Sequence, residues 1–137
     1  MWFNEGHAEY FGALQYVAKE SKMYARPNQW RLEPAQTAVN NGTTVPLSKL
    51  VQMTHAEFYD PKTIGRNYAQ AWSFVYFLWE CQNGKYRSYV TRYFDALRNR
   101  CGLKKAYDTV FGKTDMKKLE AEWKAFVQKL KPVDATK

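Results

Sequence analysis

Asn67-Tyr68-Ala69-Gln70-Ala71-Trp72-Ser73-Phe74-Val75-Tyr76-Phe77-Leu78-Trp79 is the stretch on which the fold turns. Tyr68, Ala71, Trp72, Val75, Tyr76, Leu78 and Trp79 return at steps of three and four residues, the period of one face of an α-helix, so the segment reads as a helix with a buried stripe. Asn83-Gly84 supplies its stop, because these two residue types close helices easily. The apolar run from Ala71 to Trp79 is too short to cross a bilayer and is followed by Glu80.

The same period continues downstream. Tyr86, Tyr89, Val90, Tyr93, Phe94 and Leu97 share one face of a helix that stops around Asn99. Leu103 to Phe111 is a short helix ending at Gly112, and Thr114 can cap a last one with Leu119, Trp123, Phe126, Val127 and Leu130 as its stripe. Upstream, the first helix is expected from about Asn4 to Lys19. Pro34 suits the first turn of a second helix that closes near Asn40-Asn41-Gly42, because proline needs no backbone donor there. A third, short helix is expected from Ser48 to Met53. His55 to Arg66, with Asp60-Pro61 and Gly65, reads as a loop.

Composition agrees with this pattern. A chain of 137 residues buries about two thirds of the surface it exposes when unfolded, and eight Phe, ten Tyr and five Trp supply large packing units. Cys81 and Cys101 allow at most one disulfide and read as free thiols. The expected fold is all-α, a single compact domain of about six helices over residues 1–131, with 132–137 as a frayed tail. The chain contains neither an internal repeat nor a low-complexity segment.

The opening segment, Met1-Trp2-Phe3-Asn4-Glu5-Gly6-His7-Ala8-Glu9-Tyr10-Phe11, carries the clearest chemical signal. It resembles the third-ligand segment of the gluzincins, zinc peptidases in which two histidines of a His-Glu-x-x-His helix and a glutamate from a later helix hold the metal. That glutamate commonly sits in Trp-Leu-Asn-Glu-Gly-x-Ala-Glu-Tyr. Here Phe3 replaces leucine and His7 fills the variable position. The segment Asn67 to Leu78 is similar to the helix that follows this ligand in gluzincin aminopeptidases and in peptidase MA-like families of uncharacterised function. Gln70 and Ala71 depart from the aminopeptidase pattern of Lys-Gly and stand closer to the peptidase MA-like group. Phe111-Gly112, Asp115, Leu119-Glu120 and Trp123 resemble the close of such domains, so the likeness spans almost the whole chain.

The resemblance implies a helical C-terminal half of a peptidase MA-like domain. Glu5 would be its zinc ligand, and Asn4, Glu9 and His55 would border the metal or the substrate. Tyr68, sixty-three residues after Glu5, would steady the oxyanion of the tetrahedral intermediate. It also implies polypeptide upstream that brings two histidines and a general-base glutamate, and a peptide or protein substrate. An upstream signal segment would make the parent extracytoplasmic.

Each of these residues also has a plainer reading. Asn4 is a helix N-cap with acidic neighbours at the positive helix end. Tyr68 closes a core stripe, and His55 is an exposed loop residue. His7 and His55 are the only histidines, and no His-Glu-x-x-His, His-x-x-x-His or Cys-x-x-Cys occurs, so this chain by itself is expected to bind no zinc tightly and to be inactive.

Net charge is +8, concentrated between Lys85 and Lys105, where seven Lys or Arg stand against Asp95. Tyrosines alternate with these bases, so one alternative is a nucleic-acid module in which bases stack on aromatic faces and cations meet phosphates. Helical spacing favours the opposing reading, with the tyrosines inward and the cations on a solvated face. A non-catalytic helical interaction domain is the remaining alternative.

Overall fold

The structure, a computed structural model, describes residues 1–133. It is all-α apart from one small hairpin. In chain order the elements are α1 (Trp2–Gly12), β1 (Gln15–Val17), β2 (Lys22–Tyr24), α2 (Gln29–Asn40), α3 (Leu47–Leu50), α4 (His55–Phe58), α5 (Ile64–Glu80), α6 (Arg87–Arg98), α7 (Leu103–Phe111) and α8 (Met116–Lys129). Among the described residues six of the eight helices are longer than two turns, and α3 and α4 are single turns, α3 standing where a helix from Ser48 to Met53 is expected. No helix among the described residues is long and apolar enough to cross a membrane.

The Tyr68 segment is the axle. Every residue from Ala69 to Leu78 is buried, so α5 is covered all round rather than along one stripe, as befits a helix at the centre of a core. Its polar residues are paired accordingly. Gln70 acts as a substitute for a backbone strand: its Nε2 donates to the Val45 carbonyl at 2.6 Å and its Oε1 accepts from the Val45 amide at 3.1 Å. Ser73 accepts from the Trp123 indole at 3.2 Å, which ties α8 to α5. Around this axle α1, α2, α6 and α8 pack directly.

Helix α1 packs tightly on α5 at Gly6. A Cβ on that glycine would lie 2.6 Å from both the Ala71 carbonyl oxygen and Val75 Cγ2, inside any permitted contact. Trp2 anchors the same helix, 1% exposed, with ring centroids 5.3 Å from Phe74 and 4.9 Å from Tyr93. Edge and tilted geometries of this kind favour aromatic packing.

Several expected boundaries are corrected. The first helix stops at Gly12 instead of Lys19. Gln15-Tyr16-Val17 and Lys22-Met23-Tyr24 pair as antiparallel strands, Tyr16 opposite Met23, and Ser21 takes the turn at φ 50°. Alternating aromatic and β-branched residues favour strands, and Ala18, inside the span expected as helix, is exposed beyond its end. Helix α2 begins at Gln29, capped by the Asn28 side chain, so Pro34 lies inside it rather than at its start. The segment expected as a loop holds α4, opened by a Thr54/Glu57 capping box, and the first turn of α5. Asp115, not Thr114, caps α8 through the Lys118 amide; the Thr114 hydroxyl pairs with Tyr89 instead. Of the tail expected to fray, 134–137 lie outside the described residues, and Pro132 and Val133 belong to no helix.

The Gly6 contact makes a direct prediction. Gly6→Ala should lower unfolding free energy by about 1–3 kcal/mol through overpacking. Gly12→Ala, whose Cβ meets nothing within 4 Å, should be neutral or slightly stabilising. Urea denaturation of the two variants measures both, and equal midpoints would remove the close approach as a constraint.

Candidate functional site: a carboxylate beneath two phenols

Glu5 and Glu9 lie one helical turn apart on α1, so they share a face, and both are half-buried. Trp2 and Gly6 hold the adjacent face against α5, which leaves Glu5 directed at the turn before α5 and Glu9 at the start of α2. Helix α4 delivers Tyr59. Its phenol donates to Glu5 Oε1 at 2.5 Å. Tyr68, on the second turn of α5, stands beside this pair, where burial first and then Glu5 raise its pKa. The two phenol rings are 6.4 Å apart, and Tyr68 also packs edge-on against Phe58.

Neighbouring residues close the cluster. Arg31 donates to Glu9 Oε1 at 2.6 Å, and its guanidinium lies over the Tyr68 ring, 5.1 Å from the centroid. Asn28 Nδ2 donates to Glu9 Oε2 at 2.8 Å. Glu9 therefore has both oxygens engaged and stitches α2 to α1. His55 is exposed but packs at a tilt against Tyr59 with centroids 4.4 Å apart, which puts it at the rim. Asn4 is exposed within the first turn of α1, and Met1 is the cap residue in its stead.

Both phenols stay neutral at physiological pH. The hydrogen bond to Glu5, followed by burial, pushes Tyr59 up to about 12; burial first, then Glu5, raises Tyr68, while Arg31 pulls the other way. A neutral phenol is a donor. The site thus offers a carboxylate acceptor with two donors around it. Tyr59 Oη occupies Oε1, and among the described residues no donor as close is directed at Oε2.

His7 belongs elsewhere. Residues two apart are about 200° apart around a helix, so it faces away from Glu5. Its Nδ1 pairs with the Phe3 carbonyl at 2.7 Å and its Nε2 accepts from the Trp79 indole at 3.0 Å, which fixes one neutral tautomer. With Phe3, Phe11, Val90 and Phe94 it lines an apolar groove of about 560 Å³ between α1 and α6.

The basic stretch also takes a definite form. Tyr86 and Tyr93 are buried, and Tyr89 stacks on Phe111 at 5.3 Å. Arg92 donates to the Val110 carbonyl at 2.7 Å and Arg87 to the Trp79 carbonyl at 2.9 Å. Lys85 pairs with Glu122 and Lys104 with Asp108. The tyrosines serve the core, and several cations serve the backbone or acidic partners. Cys81 and Cys101 are free thiols.

Sequence reasoning missed Tyr59, Arg31 and Asn28. Asp60-Pro61 made the first look like loop, and the late placement of α2 hid the other two; the signal that was available is Thr54-x-x-Glu57, a capping box announcing a helical turn beside Tyr59.

These features define the class: an all-helical domain in which a helix-borne carboxylate sits beneath a pair of phenols. Residues 1–96 match the family described as a protein of unknown function, DUF1570. The chain belongs to that family. No curated protein and no solved structure gives a significant match to it.

His7 gives this region a pH dependence. Burial holds its pKa below the ordinary histidine value, so as pH falls the unfolded chain takes up the proton first and stability drops. Urea midpoints should fall between pH 7 and about 5, and His7→Gln should flatten that slope. A wild-type midpoint independent of pH would contradict the assignment.

Proposed function

We propose that this chain is the C-terminal half of a zinc-peptidase catalytic domain, resembling the gluzincins and peptidase MA-like proteins, and that it works only with polypeptide upstream of it. The observation that carries the reading is the convergence of Glu5 and Tyr68, sixty-three residues apart, on one cluster. Tyr59 joins the two, donating to Glu5 and packing its ring 6.4 Å from that of Tyr68.

The donor set suits a partial site. Catalytic zinc takes three protein ligands and leaves a position open. Glu5 supplies one, from a helix fixed by Trp2 and Gly6, which is the rigid platform a ligand requires. Among the described residues no group of three His, Cys, Asp or Glu gathers in a form that could hold a metal; two histidines and a general-base glutamate would come from upstream. When bound, zinc would supply Lewis-acid activation of water and of the scissile carbonyl.

The chain's own residues then have separate tasks. Glu5 offers Oε2 to the ion. Tyr68, neutral and with its hydroxyl not tightly held, donates to the oxygen on which negative charge develops, an effect that grows from ground state to transition state and so accelerates the reaction. Arg31 braces the Tyr68 ring from above and balances Glu9. Asn4, Glu9 and His55 border the metal or the substrate, with Asn28 holding Glu9.

In a protein extended upstream to include both histidines, Tyr68→Phe should lower turnover of peptide substrates by about 100-fold or more with zinc content unchanged. Unchanged turnover removes Tyr68 from the mechanism. The chain alone, titrated calorimetrically with zinc, should show no specific binding in the micromolar range, since one carboxylate is too few ligands; tight stoichiometric binding would refute the half-site reading.

A further inference from the structure

We infer that Tyr59 is a positioning residue for the metal-facing carboxylate: its phenol holds Glu5 by one oxygen so that the other is presented to the ion. The inference rests on the reading of Glu5 as a zinc ligand and names the residue that aims it.

A glutamate side chain is flexible, and a carboxylate ligand left unsupported samples rotamers that point away from the metal. Ligating groups are normally held by outer partners for this reason. Tyr59 meets that need more directly than Tyr68 does, because it makes the short 2.5 Å bond to Oε1. Its own position is fixed from both sides. Asn67, fully buried on α5, donates to the Phe58 carbonyl at 2.9 Å, which pins the backbone immediately before Tyr59. The capping box of Thr54 and Glu57 fixes the other end of α4, and the Tyr59 amide donates to the His55 carbonyl at 3.0 Å. The ring is packed against Phe58, His55 and Tyr68. The donor therefore stands on a short element locked to the central helix, and little ordering remains to be done when an ion arrives.

The two phenols divide the work. Tyr59 is committed to Glu5 and cannot also follow a substrate oxygen. Tyr68 is the freer hydroxyl. Removing the first should weaken metal binding; removing the second should not.

Zinc affinity is measured by competition with a chromophoric chelator on the upstream-extended protein, together with the melting temperature of the metal-free form. Tyr59→Phe, which keeps the packed ring, should weaken zinc binding about 10- to 100-fold, while Tyr68→Phe leaves it unchanged. A role in folding alone would lower the metal-free melting temperature and spare the zinc constant. That outcome, or equal weakening by Tyr68→Phe, overturns the inference while the role of Glu5 stands. A wild-type protein that binds no stoichiometric zinc, or zinc affinity indifferent to Glu5→Gln, overturns the underlying reading instead.

Discussion

The absence of a side chain at residue 6 sets the geometry of this domain. At Gly6 the backbone of α1 comes against the Ala71 carbonyl and Val75 of α5, closer than a methyl group would allow. Because Glu5 is the adjacent residue, the close approach also fixes how far its carboxylate stands from the residues at the start of α5. Any larger residue would push α1 outward and open the gap between Glu5 and both phenols. Packing density in a core transmits such a displacement rather than absorbing it.

The central helix makes that approach worthwhile. It is buried on all sides, and its three buried polar side chains, Asn67, Gln70 and Ser73, are each spoken for. Asn67 holds the end of α4, Gln70 holds the segment before α3, and Ser73 takes the indole of Trp123. Each joins a distant part of the chain to one rigid axis. Buried polar groups that are fully paired specify a single arrangement more sharply than apolar contacts do. In this domain they also place Tyr59, through Asn67, within reach of Glu5.

How much of this was legible beforehand varies with the physics of each element. Helices whose apolar residues recur every three or four positions, such as α6, α7 and α8, were readable because periodicity is local. The ends of α1 and α2 were not. The apolar residues after Gly12 fit a helix as well as a strand, and the hairpin is settled by pairing between Tyr16 and Met23, two residues that no helical window compares. Pro34 misled for a related reason: a capping side chain at Asn28 starts the helix early enough that the proline falls within it.

Sequence alone determined the all-helical class and the separation of Glu5 from His7 around α1, since both follow from spacing and residue type along one stretch of chain. Tertiary structure alone decided that Tyr59, Arg31 and Asn28 surround the two glutamates and that Gln70 serves as a backbone clamp. Those outcomes depend on contacts between residues up to 54 positions apart. Only packing of whole helices against α5, limited by the space left at Gly6, selects such contacts from the many that local propensity permits.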